Sequence, residues 1–157
     1  MTDENERKID DCCNELTNIK SWIDKNPLDS NVRYLAAYAV VKASGTIEVV
    51  FKSMIYDVLA DKVKLETQNY LTKMVIESSC NPSTGNMSNL LDQLDTQRKI
   101  KFNNMIKGKT EKSDLNSLVS LRNDVAHGRT MNSSINTVKK YFESGVFILE
   151  KLEESLN

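Results

Sequence analysis

Apolar residues recur at helical spacing along the whole chain. Ile9, Cys12 or Cys13, Leu16, Ile19 or Lys20, and Ile23 lie three or four apart, the period of one helix face. A first helix is predicted from Thr2 or Asp3, either of which can cap it, with acidic residues in the first turn where they suit the helix dipole. Asn26 and Pro27 end it, because proline disfavours helical geometry in the residue before it. A longer second helix starts at Asp29 or Ser30 and carries "NVRYLAAYAVVKASGTIEVVFKSMIYDVLADKV". Its first half is apolar and small, with Ala36, Ala37, Ala39 and Ala43. Gly45 falls inside the pattern at a cost of about 1 kcal/mol relative to alanine, which predicts a kink, a break or a tight crossing. Ile47, Val50 or Phe51, Met54 or Ile55, and Val58 or Leu59 continue the apolar face. A stripe this wide predicts a central helix.

A third helix is predicted over roughly Lys64 to Ser78, followed by the loop "SSCNPSTGN". A fourth runs from Ser88 through "NLLDQLDTQRKIKFNNMI", and "KGKTEKSD" reads as a charged loop. Ser113 or Asp114 then caps a fifth helix, "LNSLVSLRNDVAH", which Gly128 ends as a left-handed cap. Ser133 or Ser134 opens the last helix, with Ile135, Val138, Tyr141 or Phe142, Val146, Leu149 and Leu152 or Leu156 on one side. The expectation is one all-α domain over residues 1–157, a compact bundle of about five to six helices. The chain has only 5 Gly and 2 Pro, too few turn formers for a fold of many strands. No repeat, low-complexity segment or long linker divides it.

Charge narrows the function classes. The net charge is −1, from 21 basic and 22 acidic side chains, so bulk charge would not hold this protein on nucleic acid. A local basic cleft is compatible with that balance. Arg98, Lys99, Lys101, Lys107 and Lys109 form a modest basic run, by default a solvated helix face and alternatively a phosphate contact. The three cysteines, Cys12, Cys13 and Cys80, match no zinc or disulfide framework. With one histidine, no metal site and no cofactor are expected. Reduced thiols suggest a cytoplasmic protein. The polar start "MTDENERKIDD" is unlike a signal peptide. No uninterrupted apolar run approaches the ~20 residues of a membrane span, so no membrane partner is expected.

The only histidine, His127, lies in "LRNDVAHG". At about 100° per residue, Leu115, Leu118, Val119, Leu121, Val125 and Ala126 share one arc of the fifth helix, and Asn116, Ser120, Asn123, Asp124 and His127 share the opposite arc. Asn123 and Asp124, four and three residues before His127, can neighbour it. Arg122 falls near the middle of the apolar arc. A buried guanidinium needs partners, so either its stem snorkels to a cleft or a carboxylate waits inside, with Glu48 the foremost candidate. Its plain reading is a structural tie between helices. Histidine at a helix C-terminus also has a plain reading, since the dipole favours a cation there. The same physics suits proton donation, and a guanidinium supplies planar phosphate recognition. Arg, Asn and His form a minimal kit for cleaving RNA without metal. One group activates the ribose 2′-hydroxyl, one protonates the leaving 5′-oxygen, and one stabilises the pentavalent phosphate. A single histidine fills both proton-transfer roles only if two chains meet across a two-fold axis. No glycine-rich phosphate loop, metal-ligand cluster or nucleophile elbow points to another enzyme class.

"RNDVAHG" resembles the R-x4–6-H signature of the HEPN superfamily (higher eukaryotes and prokaryotes nucleotide-binding domains), in which a polar residue, often asparagine, follows the arginine. Arg122, Asn123 and His127 match it, with four residues between arginine and histidine. "ASGTIEVVFKSMI" is similar to the corresponding segment of the branch found beside RiboL-PSP-type proteins. The resemblance implies a helical bundle, usually a homodimer, and often a metal-independent endoribonuclease that leaves 2′,3′-cyclic phosphates. It implies Arg122, Asn123 and His127 as the catalytic set, with Asp124 and Glu48 as candidate supporting residues. RNA is the implied partner, with an antitoxin or defence-system protein beside it, in toxin–antitoxin, phage-defence or RNA-processing settings. The alternative is a non-catalytic HEPN-like module that binds nucleotide, RNA or protein and dimerises. One departure stands out: toxins neutralised by nucleotidylation carry tyrosine two residues after the histidine, and here that residue is Arg129. With Arg98, Lys99 and Lys101, Arg129 is a candidate RNA contact; its duller reading is a surface arginine after a helix cap.

Overall fold

Helix α1 (Asp3–Lys25) starts where the Thr2 side chain accepts from the Asn5 N–H, and ends at Asn26. The computed structural model describes residues 1–130 and 133–157. The chain then turns through Asp29, whose carboxylate accepts from the Asn31 N–H at 2.7 Å, so Asp29 shapes the turn and α2 (Val32–Ala60) begins three residues later. Helix α3 (Leu65–Leu71) runs into a π-helical turn over Thr72–Ile76. The fourth predicted helix is two. Ser83, not Ser88, caps α4 (Thr84–Leu94). Asp95 is extended and its side chain accepts from the Gln97 N–H, which restarts the chain as α5 (Thr96–Ile106). Ser88 is instead buried, its hydroxyl accepting from Asn103 Nδ2 at 2.9 Å.

The charged loop is shorter than its composition suggests. Helix α6 (Thr110–Ala126) begins within "KGKTEKSD", after Gly108 turns the chain with a φ of 73°. Ser113 and Asp114 are therefore inside the helix, not at its cap. Gly128 follows α6 with a φ of 69°, the left-handed conformation that glycine adopts without a Cβ penalty. Ser134 caps α7 (Ile135–Leu156) by accepting from the Thr137 N–H. The described residues thus hold seven α-helices and no strand, all-α as expected with more elements.

Helices α2 and α7 form the centre. α7 packs against α6, α2, α5 and α1, while α2 also packs against α1, α6 and the α3–π segment. The core joins Leu16 of α1 and Ile47, Val50 and Phe51 of α2. Phe102 of α5, Leu115 and Leu118 of α6, and Phe142, Ile148 and Leu149 of α7 complete it. Gly45 neither kinks nor breaks α2, which is continuous through it. The tight crossing is at Gly145 of α7, where an added Cβ would lie 2.9 Å from Ile47 Cδ1. The α2 helix corrects one further expectation. By length and composition it is apolar enough to cross a membrane, despite Lys42 and Glu48. Its inner face is core to the bundle: Ala39, Val40, Ala43, Ile47 and Val50 are fully buried.

Candidate functional site

The α6 wheel holds for its first three turns. Leu115, Leu118 and Val119 are buried, and Leu121 and Val125 are half-buried against the core. Towards the C-terminus the helix emerges from the bundle: Ala126 is exposed although it shares the apolar arc. His127 is the C-cap residue, its N–H donating to the Asn123 carbonyl at 3.0 Å. Its side chain is exposed, and among the described residues its imidazole makes no hydrogen bond or ion pair. The ring is thus free to meet a ligand or a second chain.

Arg122 is half-buried, and its Nη1 donates to Asn123 Oδ1 at 3.4 Å. That long contact is consistent with a stem that lies along the helix surface with its head near solvent. The inner carboxylate partner does not exist: Glu48 is bound elsewhere. Glu48 accepts from Lys52 Nζ at 2.7 Å, one turn along the same helix. Lys52 also donates to the Ser78 carbonyl, and its side chain is only 8% exposed. A lysine buried this deeply needs a carboxylate more than a half-exposed guanidinium does, so Glu48 belongs to the α2–π junction and not to the α6 site. Burial pushes the nearby Cys80 thiol up, opposed by Lys52, and a raised thiol is a poor nucleophile.

Asp124 is also engaged away from the histidine. It pairs with Arg129 at 2.9 Å, and the Arg129 N–H donates to the Asp124 carbonyl at 2.9 Å. This double tie folds the chain back after Gly128. Arg129 remains largely exposed, so its other guanidinium donors face solvent beside His127. The basic run does not join this cluster. Lys99 is held by Asp92 at 2.9 Å; Arg98 and Lys101 lie on α5. Lys107 and Lys109 stand at the start of α6, about 25 Å from its end at 1.5 Å rise per residue. The structure therefore gathers Arg122, Asn123, His127, Asp124 and Arg129 at one helix end, and leaves Glu48, Arg98, Lys99 and Lys101 outside it.

Two polar residues of α6 have structural work that the wheel does not show. Asp114 is buried and accepts from Ser144 Oγ at 3.0 Å and Lys140 Nζ at 3.1 Å, tying α6 to α7. Asn116 Oδ1 accepts from the Thr84 N–H at 3.1 Å and so anchors the start of α4. The sole signal for either in the sequence is a polar residue beside an apolar arc.

An all-helical bundle with an Arg-Asn-x3-His cluster at an exposed helix end is the arrangement of a HEPN domain. The chain belongs to the RiboL-PSP-HEPN family, whose family model matches residues 7–157. No curated protein and no solved structure matches the chain.

Proposed function

We propose that this chain is a metal-independent endoribonuclease, working as a toxin or defence effector at a cleft shared by two copies. The observation that supports this most is the solvent-facing imidazole of His127, one turn from Asn123 and beside a guanidinium whose one intramolecular hydrogen bond is long. In the proposed reaction one His127 takes the proton of a ribose 2′-hydroxyl. The 2′-oxygen attacks the adjacent phosphorus, and the 5′-oxygen leaves with a proton from the second His127. The products are a 2′,3′-cyclic phosphate and a 5′-hydroxyl. Arg122 neutralises the charge that builds on the phosphoryl oxygens, and Asn123 steers the guanidinium. Arg129, anchored by Asp124, lies where it can take a flanking phosphate. One protonated and one neutral histidine are needed at once, so the rate should show a bell-shaped dependence on pH.

Purified protein incubated with total RNA in EDTA should yield fragments ending in 2′,3′-cyclic phosphate. His127→Ala should lower the rate by roughly 10²–10⁴-fold, the usual worth of a general acid–base group. Mixing His127→Ala with Arg122→Ala should leave one intact copy of each side chain in the shared cleft of a mixed dimer. Undiminished cleavage by folded His127→Ala sinks the assignment. Wild type that binds RNA and cuts none supports the non-catalytic HEPN-like module instead.

A further inference from the structure

Helix α2 is apolar on two opposite sides, and the chain covers only one and a half of them. Away from the core, Tyr34, Tyr38, Val41, Gly45 and Val49 form a single line at spacings of four, three, four and four. Tyr34, Tyr38, Val41 and Val49 are 60%, 47%, 45% and 49% exposed. The line continues through Lys52 and Tyr56, and there the α3–π segment covers it, with Lys52 donating to the Ser78 carbonyl and Thr72 Oγ1 to Tyr56 at 3.5 Å. The N-terminal half stays bare. Two open grooves run beside it. One, of about 640 Å³, is lined by Ile19, Trp22, Tyr34 and Tyr38; the other, of about 440 Å³, by Val41, Gly45 and Val49 with Lys8 and Asp11. A helix that is apolar all round belongs inside an assembly, and contiguous exposed apolar surface marks an interaction site.

We propose that this stripe seats a second copy of the same chain, with the two α2 helices antiparallel across a two-fold axis beside Val41 and Lys42. The order of side-chain sizes is self-complementary about that point. Tyr38 falls opposite Gly45 of the second copy, and Tyr34 opposite Val49. Gly45 leaves the room required, since an added Cβ would meet nothing within 4 Å. Lys42, the charge nearest the axis, is already neutralised by Glu15 at 2.8 Å, so two copies meet without bringing bare like charges together. The stripe with Trp22 offers about 450 Å² per copy on the scale of 150–250 Å² for a whole aromatic side chain. That is more than half of the ~800 Å² per partner of a stable interface, and the flanking polar residues of α1 supply the rim. The start of α2 borders Ser133, in the segment after α6, and lies about 13 Å along the helix from the axis. This pairing is therefore separate from one that joins two copies of His127, and it stands without the nuclease reading.

Cysteine cross-linking in a Cys13→Ser, Cys80→Ser background tests the geometry. Val41→Cys should form a disulfide-linked dimer quickly under mild oxidation, because the two copies of residue 41 flank the axis. Val49→Cys should not, since its two copies would stand about 22 Å apart. In sedimentation experiments Tyr38→Lys and Gly45→Leu should each weaken association at least tenfold, with helical circular dichroism unchanged. A wild type that stays monomeric through hundreds of micromolar overturns the proposal. So does equal cross-linking at both positions, or binding to phosphatidylcholine vesicles without self-association, which would assign the stripe to a lipid surface.

Discussion

Two glycines in mid-helix should respond to alanine with opposite signs. At Gly45 a Cβ meets nothing within 4 Å, so Gly45→Ala should gain nearly the whole propensity difference, about 0.5–1 kcal/mol. At Gly145 the same methyl group would sit 2.9 Å from Ile47 Cδ1, 3.0 Å from Ile47 Cγ1 and 3.4 Å from Leu115 Cδ1. Overpacking of this kind costs roughly 1–3 kcal/mol. The propensity gain offsets part of it, which leaves a net loss of about 1 kcal/mol. For a chain of this size each kcal/mol shifts the melting temperature by about 2–4 °C. Gly45→Ala should therefore melt a few degrees higher and Gly145→Ala a few degrees lower. Urea denaturation at low micromolar concentration reads both without a contribution from association. A second comparison isolates the contact. Ile47→Val removes the atom nearest the new methyl group, so it should cost less in the Gly145→Ala background than in the wild type, where Ile→Val costs about 0.5–1.5 kcal/mol. Equal signs at the two glycines, or additive behaviour of the pair at 47 and 145, would refute the assignment of the close crossing to Gly145.

The remaining predictions concern buried polar ties. Asp114→Ala strips the acceptor from Ser144 and Lys140 and should cost about 2 kcal/mol, the range for a hydrogen bond to a charged group. Ser144→Ala should cost less, because it leaves Lys140 as a partner for the carboxylate; urea titrations that rank the two in the reverse order would contradict this. Glu48→Ala strands the buried Lys52 ammonium and should cost about 3 kcal/mol. The pair Glu48→Gln with Lys52→Met removes both charges and should recover most of that loss in the same assay. Neither change should alter RNA cleavage beyond its effect on folding, since Glu48 lies outside the α6 cluster.

Much of this architecture was legible in periodicity, and its failures share a cause. The α1, α6 and α7 faces read correctly because apolar residues three and four apart have one physical outcome in a soluble bundle. The split of the fourth helix was missed because Asp95 lies inside an unbroken helical pattern, and an aspartate that caps α5 looks the same in sequence as one on a solvated face. The α6 start was placed late for the related reason that "KGKTEKSD" is polar all round. At the site, Arg122 drew attention because it interrupts an apolar arc, and the inference that it needs a carboxylate assumed full burial. The arc stops being core before it reaches Ala126, since α6 runs past the end of the bundle, and a half-exposed guanidinium can rely on water. The buried cation that did need a carboxylate was Lys52, and its signal was present: Glu48 and Lys52 are four apart within an apolar stretch, the spacing of a helical ion pair. A charge pair inside an apolar run is thus better explained first by its own helix than by a distant one. That rule removes Glu48 from the candidate site. It leaves His127, Arg122 and Asn123 as side chains at the α6 end that no strong internal tie explains.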